Sequence, residues 1–293
     1  MTATALSRKA DLTGSAFMIL AMALFAIEDA LIKTAARSLP VGEVLILFGL
    51  GGAVIFAGLI AWSRLPLFVP DVLSRPMRIR VVFEVTGRLF YTLAIAMIPL
   101  SAATVILQAT PLVVVAGAAL LFRERVGWRR WTAIAVGLLG VVVIIKPGTD
   151  SFSLLSLLAV LGMIGFAGRD LASRAAPPTV GTLRLGFYGF CAVIAAGTIY
   201  AIWEGSAFVR PGPVAALGLL LAAIVGAAAY ACLMRAMRTG DVGAVTPFRY
   251  TRLLFGIAMG AALFGERPDL ATWIGSGLIV LSGLFVMARG RQP

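Results

Sequence analysis

The 293 residues carry 25 Lys and Arg against 13 Asp and Glu, and 60% of them are Ala, Val, Ile, Leu, Met, Phe, Trp, Tyr or Cys. A soluble domain reaches about 45–50% apolar residues even with glycine counted, and about 25% charged residues; here only 13% are charged. No soluble core buries that excess, so bilayer is the fitting solvent, and the absence of histidine excludes Ser-His-Asp and Cys-His nucleophile pairs, histidine metal ligands and a histidine proton relay.

The net charge of +12 sits in short basic clusters at the ends of apolar runs, without the basic helix or aromatic-flanked stripe that nucleic-acid binding uses. No nucleic-acid partner is therefore expected. Cys191 and Cys232 each lie inside an apolar run, which points to core packing and to neither a disulfide framework nor a thiolate metal site. No cofactor and no metal are expected.

Arg8 and Lys9 precede an apolar stretch from Leu12 to about Thr34. It is near the length of about 20 residues that crosses hydrocarbon, and it is read as an uncleaved first helix. Apolar runs bounded by charge, Pro or Gly predict helices at 13–34, 42–63, 77–98, 101–122, 128–146, 152–174, 179–203, 212–235, 242–264 and 270–288. The third and fourth are divided only by Pro99-Leu100, where proline ends one helix. With the N-terminus inside, fifteen basic residues fall at cytoplasmic ends, among them Arg75, Arg78, Arg80, Arg123, Arg125 and Arg235, against Arg37, Lys146, Arg210 and Arg267 outside. The positive-inside rule then selects N-in, C-in.

Charged side chains in hydrocarbon cost at least about 2.5–3.5 kcal/mol each and should face a cavity or one another. In chain order they are Glu28, Asp29 and Lys33 on the first helix, Glu84 and Arg88 on the third, Arg169 and Asp170 on the sixth, Arg184 on the seventh, and Arg249 and Arg252 on the ninth. Glu84 and Arg88 have the i, i+4 spacing of an ion pair on one face. Arg249 and Arg252 follow Pro247, which frees backbone groups near a break in the helix, and Tyr250 adds an aromatic face. Guanidinium forks suit a carboxylate or phosphate, so these two arginines are the leading candidates for an anionic cargo group, with pairing to Glu84 or Asp241 as the alternative. On the fourth helix Gln108-Ala109-Thr110-Pro111 offers uncharged hydrogen-bonding groups instead. Tyr91, Tyr188 and Tyr230 are candidate cavity aromatics, although aromatics of membrane helices more often pack or mark interfaces.

A shift of 142 residues lays Leu121-Phe122-Arg123-Glu124-Arg125 on Leu263-Phe264-Gly265-Glu266-Arg267, Trp131 on Trp273 and Thr104 on Thr246. A shift of 141 lays Phe25-Ala26-Ile27-Glu28-Asp29 on Phe166-Ala167-Gly168-Arg169-Asp170 and Lys33 on Arg174. The chain is thus expected to be two repeats, 1–147 and 148–293. Five helices per unit is an odd number, so the second copy enters the membrane inverted, the architecture of alternating-access carriers. The equivalence also sets Glu28-Asp29 opposite Arg169-Asp170 about a pseudo-two-fold. It suggests a Glu28–Arg169 or Asp29–Arg169 gate, a carboxylate for a proton or an amine, or simply solvated charges at the end of the sixth helix.

The stretch Ala109-Thr110-Pro111-Leu112, with Phe122-Arg123-Glu124-Arg125, Trp131, Gly137, Gly140 and Val141, resembles the EamA-type members of the drug/metabolite transporter superfamily. The second copy is similar again in Thr239-Gly240-Asp241-Val242, Thr246-Pro247, Phe264-Gly265-Glu266-Arg267, Trp273, Ile274 and Gly275. The first helix departs from that pattern, with Ile27-Glu28-Asp29 before Lys33 where similar proteins often have Gly or Trp with Asn. The resemblance implies an all-α integral membrane protein of ten transmembrane helices in a bacterial-type inner membrane, a monomer or weak homodimer, and an exporter of small metabolites. Six bases against four acids among the intramembrane charges favour a carboxylate-bearing or zwitterionic cargo such as an amino acid, with protons as a candidate coupling ion. The alternatives are export of amines or cationic drug-like compounds, a channel or scaffold, and an integral-membrane enzyme, for which no nucleophile–base pair or ligand cluster is found.

Overall fold

A computed structural model describes residues 3–121, 127–146, 153–239 and 245–289. The motif residues Phe122, Arg123, Glu124 and Arg125, the stretch Gly240-Asp241-Val242, and Arg291 lie outside the described residues, as do the side chains of Arg8, Lys9, Arg238 and Arg289. All regular elements among the described residues are helical. They are α1 (Ala3–Ala35), α2 (Val41–Trp62), α3 (Arg75–Met97), α4 (Leu100–Leu107), α5 (Thr110–Leu121), α6 (Trp128–Ile145), α7 (Ser156–Arg174), α8 (Gly181–Glu204), α9 (Pro213–Thr239), α10 (Thr251–Phe264) and α11 (Leu270–Arg289).

Among the described residues eight stretches are long and apolar enough to cross a membrane; the chain is a multi-pass membrane protein. The expected third and ninth helices fall short of that description for different reasons. Helix α3 has the length but carries Arg75, Arg78, Arg80, Glu84 and Arg88. Helix α10 has 14 residues, because the segment before it, Thr246–Tyr250, winds as a tight 3₁₀ turn with Pro247 near its start. The expected fourth helix is not continuous: α4 ends at Leu107 and α5 starts at Thr110. Pro111 explains the break, since it has no N–H for the Leu107 carbonyl and its ring crowds that group. The Thr110 hydroxyl donates to the Leu107 carbonyl in its place, at 2.5 Å.

The chain divides into two compact units. One comprises Glu28–Ile98 and Ser153–Ala227, and holds α2, α3, α7 and α8. Its helices meet through glycine. A Cβ on Gly165 of α7 would lie 2.3 Å from the Gly87 nitrogen of α3, and one on Gly197 of α8 would lie 2.7 Å from the Gly42 oxygen of α2. Such approach replaces the hydrophobic drive that lipid removes with backbone-level packing.

The other unit comprises Met1–Ile27, Pro99–Phe152 and Ala228–Pro293, and holds α4, α5, α6, α10 and α11. Here α6 lies on α11, where a Cβ on Gly140 would come within 2.8 Å of the Gly275 oxygen, and α4 lies on α10, where Thr104 fills the space beside Gly256. Met18, Ala21 and Met22 of α1 form a small core with Ala236 and Val245. At the end of α6, Lys146 adopts a left-handed conformation (φ 53°) and its ammonium contacts Asp269. Asp269 also caps α11 through the Thr272 N–H and hydroxyl, at 2.8 and 2.7 Å. The Lys146 bond first, and the two from Thr272 next, hold the Asp269 carboxyl down at about 2.

Candidate functional site

Most of the intramembrane charges gather in the unit that contains α3. That helix aligns Arg80, Glu84, Arg88 and Tyr91 at spacings of four, four and three residues, which keeps them on neighbouring faces. Each meets a different element. Arg80 pairs with Glu84 one turn on, at 3.0 Å, and its Nε donates to the Ser173 hydroxyl of α7 at 2.9 Å while Nη2 reaches the Leu185 carbonyl of α8 at 3.2 Å. Glu84 takes a second cation, Arg169 of α7, at 3.4 Å. Arg169 bonds Asp170 beside it at 2.8 Å and lies 4.7 Å over the Phe166 ring.

Arg88 reaches Glu28 of α1 at 2.8 Å, with the Phe48 ring 4.8 Å beneath its guanidinium. Tyr91 donates to Asp29 at 3.0 Å. Lys33, one turn further along α1, donates to the Ile95 and Ile98 carbonyls, both at 2.7 Å. Those carbonyls belong to the end of α3, where the helix dipole is negative and the last C=O groups need donors. The 28–35 segment of α1 is therefore fastened along α3 by an ion pair, a phenol–carboxylate bond and a lysine cap. Glu28, Asp29 and Tyr91 are at most 1% exposed, whereas the Arg169 and Asp170 side chains are 27% and 26% exposed.

Several expectations are corrected here. The Glu84–Arg88 pair does not form: Glu84 turns back to Arg80, and Arg88 is taken by Glu28. Both arginines stand four residues from Glu84, so spacing alone could not choose; the α1 carboxylate, a tertiary neighbour, decides. Arg169 draws on Asp170 and Glu84 of its own surroundings. Lys33 serves as a helix cap. Arg184 holds the Pro66, Thr179 and Val180 carbonyls and so fixes the loop ends before α3 and α8. Tyr188 hydrogen-bonds the Leu67 carbonyl and packs beside Val72, Met77 and Val180, which makes it part of that loop anchor.

The remaining candidates belong to the other unit. Gln108, at the α4–α5 break, donates to the Arg249 carbonyl at 2.9 Å, so the amide joins the two interrupted segments. Arg249 and Arg252 are half-buried, and Arg252 lies 5.1 Å over the Phe25 ring. Tyr250 is buried against α11, its ring occupying the space a Cβ on Gly283 would take. That makes it a core residue. Tyr230 is half-buried on α9.

Two groups went unread in the sequence. Arg80 was assigned to a cytoplasmic end by the position of its helix start, yet it is 4% exposed and paired; the Arg80–Glu84 spacing was the available signal. Glu266, known only as a motif residue, accepts from the Leu100 N–H at 2.6 Å and from the Ser101 N–H and hydroxyl at 2.9 and 2.8 Å. Gly265, at φ 65°, ends α10 with a left-handed turn that only glycine adopts freely, and this aims the carboxylate at the start of α4.

Two bases and two acids, Arg80, Arg169, Glu84 and Asp170, joined by ion pairs between α3 and α7, are suited to binding and handing over a charged small molecule. Comparison with known proteins agrees. The model of the EamA-like transporter family matches residues 12–146 and 153–288. The chain belongs to that family. It is a transporter of the drug/metabolite superfamily and not an enzyme. It is 30% identical to the pseudopaline exporter CntI of Pseudomonas aeruginosa over 275 residues, covering 92% of this chain and 94% of the relative. It is 27% identical to the S-adenosylmethionine uptake transporter of Rickettsia prowazekii, covering 69% and 67%, and 30% identical to the riboflavin transporter of Vibrio cholerae, covering 71% and 70%. A solved crystal structure of 20% identity superposes with a TM-score of 0.61 over 97% of this chain and 99% of that one, which supports the fold.

Proposed function

We propose that the protein is an alternating-access carrier of the cytoplasmic membrane that exports a small zwitterionic or carboxylate-bearing metabolite, of the size and polarity of an amino acid. The observation that carries this reading is the charge-balanced cluster around α3. Arg80 and Arg169 match Glu84 and Asp170 in one chain of ion pairs, so a cargo with one charge of each sign leaves the site neutral. Arg169 and Asp170, the more exposed members, are the natural pair to open toward its carboxylate and ammonium. This balance replaces the excess of two bases expected from sequence, since Lys33 and Arg184 are spent on backbone carbonyls, Arg88 is paired with Glu28, and Arg249 and Arg252 belong to the other unit.

Ten helices in two inverted repeats remain the architecture we favour. The two separate matches to the family model support it. So does the packing of α2 on α8 and of α6 on α11, which are counterparts under the 141–142-residue shift. Export is favoured by the pseudopaline exporter among the relatives, which also include uptake carriers. The buried carboxylates Glu28, Asp29 and Glu84 are the groups through which protons would couple.

The experiment is thermal stabilisation of the detergent-purified protein against amino acids, dicarboxylates, amines and nucleotide-like metabolites, because a ligand that binds the folded state raises the melting temperature. Hits among zwitterions or carboxylates are expected, and Arg169→Gln should remove them. Hits confined to amines would contradict the assignment.

A further inference from the structure

Arg80 has donors to spare where the cargo is proposed to bind. Its guanidinium carries five N–H groups in a planar fork. Nε is satisfied by Ser173 and Nη2 by Glu84 and Leu185, but among the described residues the buried Nη1 has no acceptor. Buried polar atoms of this kind are rare exceptions that call for a specific explanation, such as strain, a functional role, a water or an ion. The wall opposite is cut back: a Cβ on Gly189 of α8 would lie 3.4 Å from Arg80 Nη2 and 3.6 Å from Glu84 Oε2. Any larger residue there would reach over the Nη2–Glu84 pair, which glycine leaves uncovered.

The level in the helices fits as well. Arg80 is five residues into α3 and Arg169 five residues before the end of α7, so each lies about 7–8 Å along its axis from that end at 1.5 Å per residue. Ser173 and Glu84 tie the two together.

We propose that Arg80 is the anion anchor of the cargo site: Nη1, the donor without an acceptor, donates to a carboxylate oxygen of the cargo beside the Arg169–Asp170 pair, and Gly189 keeps the Nη2–Glu84 side of the guanidinium uncrowded. The carboxylate adds an acceptor to a guanidinium already held in place by Glu84 and Ser173, so the fork is preorganised and little side-chain freedom is lost on binding. Lysine cannot replace it, because a single ammonium cannot serve Glu84, Ser173 and the cargo in the same directions. The proposal rests on the carrier reading above and names where that cargo's carboxylate goes.

The test is a succinate titration of the purified full-length protein, read by thermal shift, alongside L-glutamate counterflow in proteoliposomes. Succinate is expected to stabilise the wild type saturably. Arg80→Lys and Gly189→Ala should each weaken its apparent affinity at least tenfold, while Arg210→Gln, on an exposed loop, leaves it unchanged. Alanine at 189 makes only ordinary contacts and favours helix, so its unliganded melting temperature should hold; if Arg80→Lys does not fold, Arg80→Gln/Glu84→Gln supplies a neutral hydrogen-bonding pair. Affinity within twofold of wild type in Gly189→Ala and in the arginine variant, or no saturable succinate effect on the wild type, overturns the anchor. Counterflow that persists in those variants would leave the carrier reading intact while removing this inference; no counterflow in the wild type would remove the former.

Discussion

In the unit of α2, α3, α7 and α8 the side chains of Arg80, Glu84, Arg169, Arg88 and Glu28 form ion pairs, whereas in the unit of α4, α6, α10 and α11 one carboxylate, Glu266, binds three donors at the start of α4. Both arrangements answer the same requirement, that polar groups away from water find partners. They differ in what a ligand can do with them. A capped helix start has its donors already spent, and a cargo that took Glu266 would leave the Leu100 and Ser101 amides open. An ion-pair network can exchange one partner for another of the same charge, so it can bind a charged molecule and release it.

That contrast sets the size of the effects that should follow from breaking each part. Glu84→Leu leaves Arg80 and Arg169 without their shared carboxylate, and removal of one partner from a buried pair costs about 3–5 kcal/mol; denaturation in detergent micelles should show it as the largest loss of the set. Gly165→Ala places a Cβ 2.3 Å from the Gly87 nitrogen and should cost about 1–3 kcal/mol as α3 and α7 are forced apart. Glu266→Ala should cost about 1–3 kcal/mol for the donors it frees, with Glu266→Gln recovering part through its amide oxygen. Were Glu266→Ala more damaging than Glu84→Leu, the division between an exchangeable network and a fixed cap would fail.

The smallest effect lies at the surface. Asp269, held at about 2 against an ordinary 3.8, stabilises the folded state fully above about pH 4, and the contribution fades as pH falls toward 2. The carboxylate is 49% exposed and Lys146 29%, so solvent screening limits the pair to less than about 1 kcal/mol. Asp269→Asn should lower the melting temperature slightly at pH 7 and should change it less at pH 3, where protonation of the unfolded carboxyl has removed part of the contribution.

The positions of helices were legible because apolar runs bounded by Pro, Gly and arginine follow directly from the thickness of hydrocarbon. Breaks were harder to read. Pro247 was recognised as an interruption and Pro111 was not, although each precedes or enters a stretch where the helix is re-wound. Within the site the sequence pointed to Glu28, Asp29, Glu84, Arg88, Arg169 and Asp170, all of which are brought into one unit, but not to their partners. Arg80 or Arg88 for Glu84 is a choice made by α1, some 60 residues away. Lys33 and Arg184 looked like free cations until the carbonyls of Ile95, Ile98 and Pro66 were placed beside them. A side chain's type shows in sequence; the backbone oxygen it satisfies does not.

The most direct test of the central claim, that the charged cluster around α3 holds the cargo, is counterflow of radiolabelled L-glutamate in proteoliposomes for the wild type and for Arg169→Gln and Asp170→Asn. The account predicts exchange in the wild type and at least a tenfold loss in both variants, with melting temperatures within a few degrees of the parent. Exchange at the wild-type rate in both folded variants would contradict it.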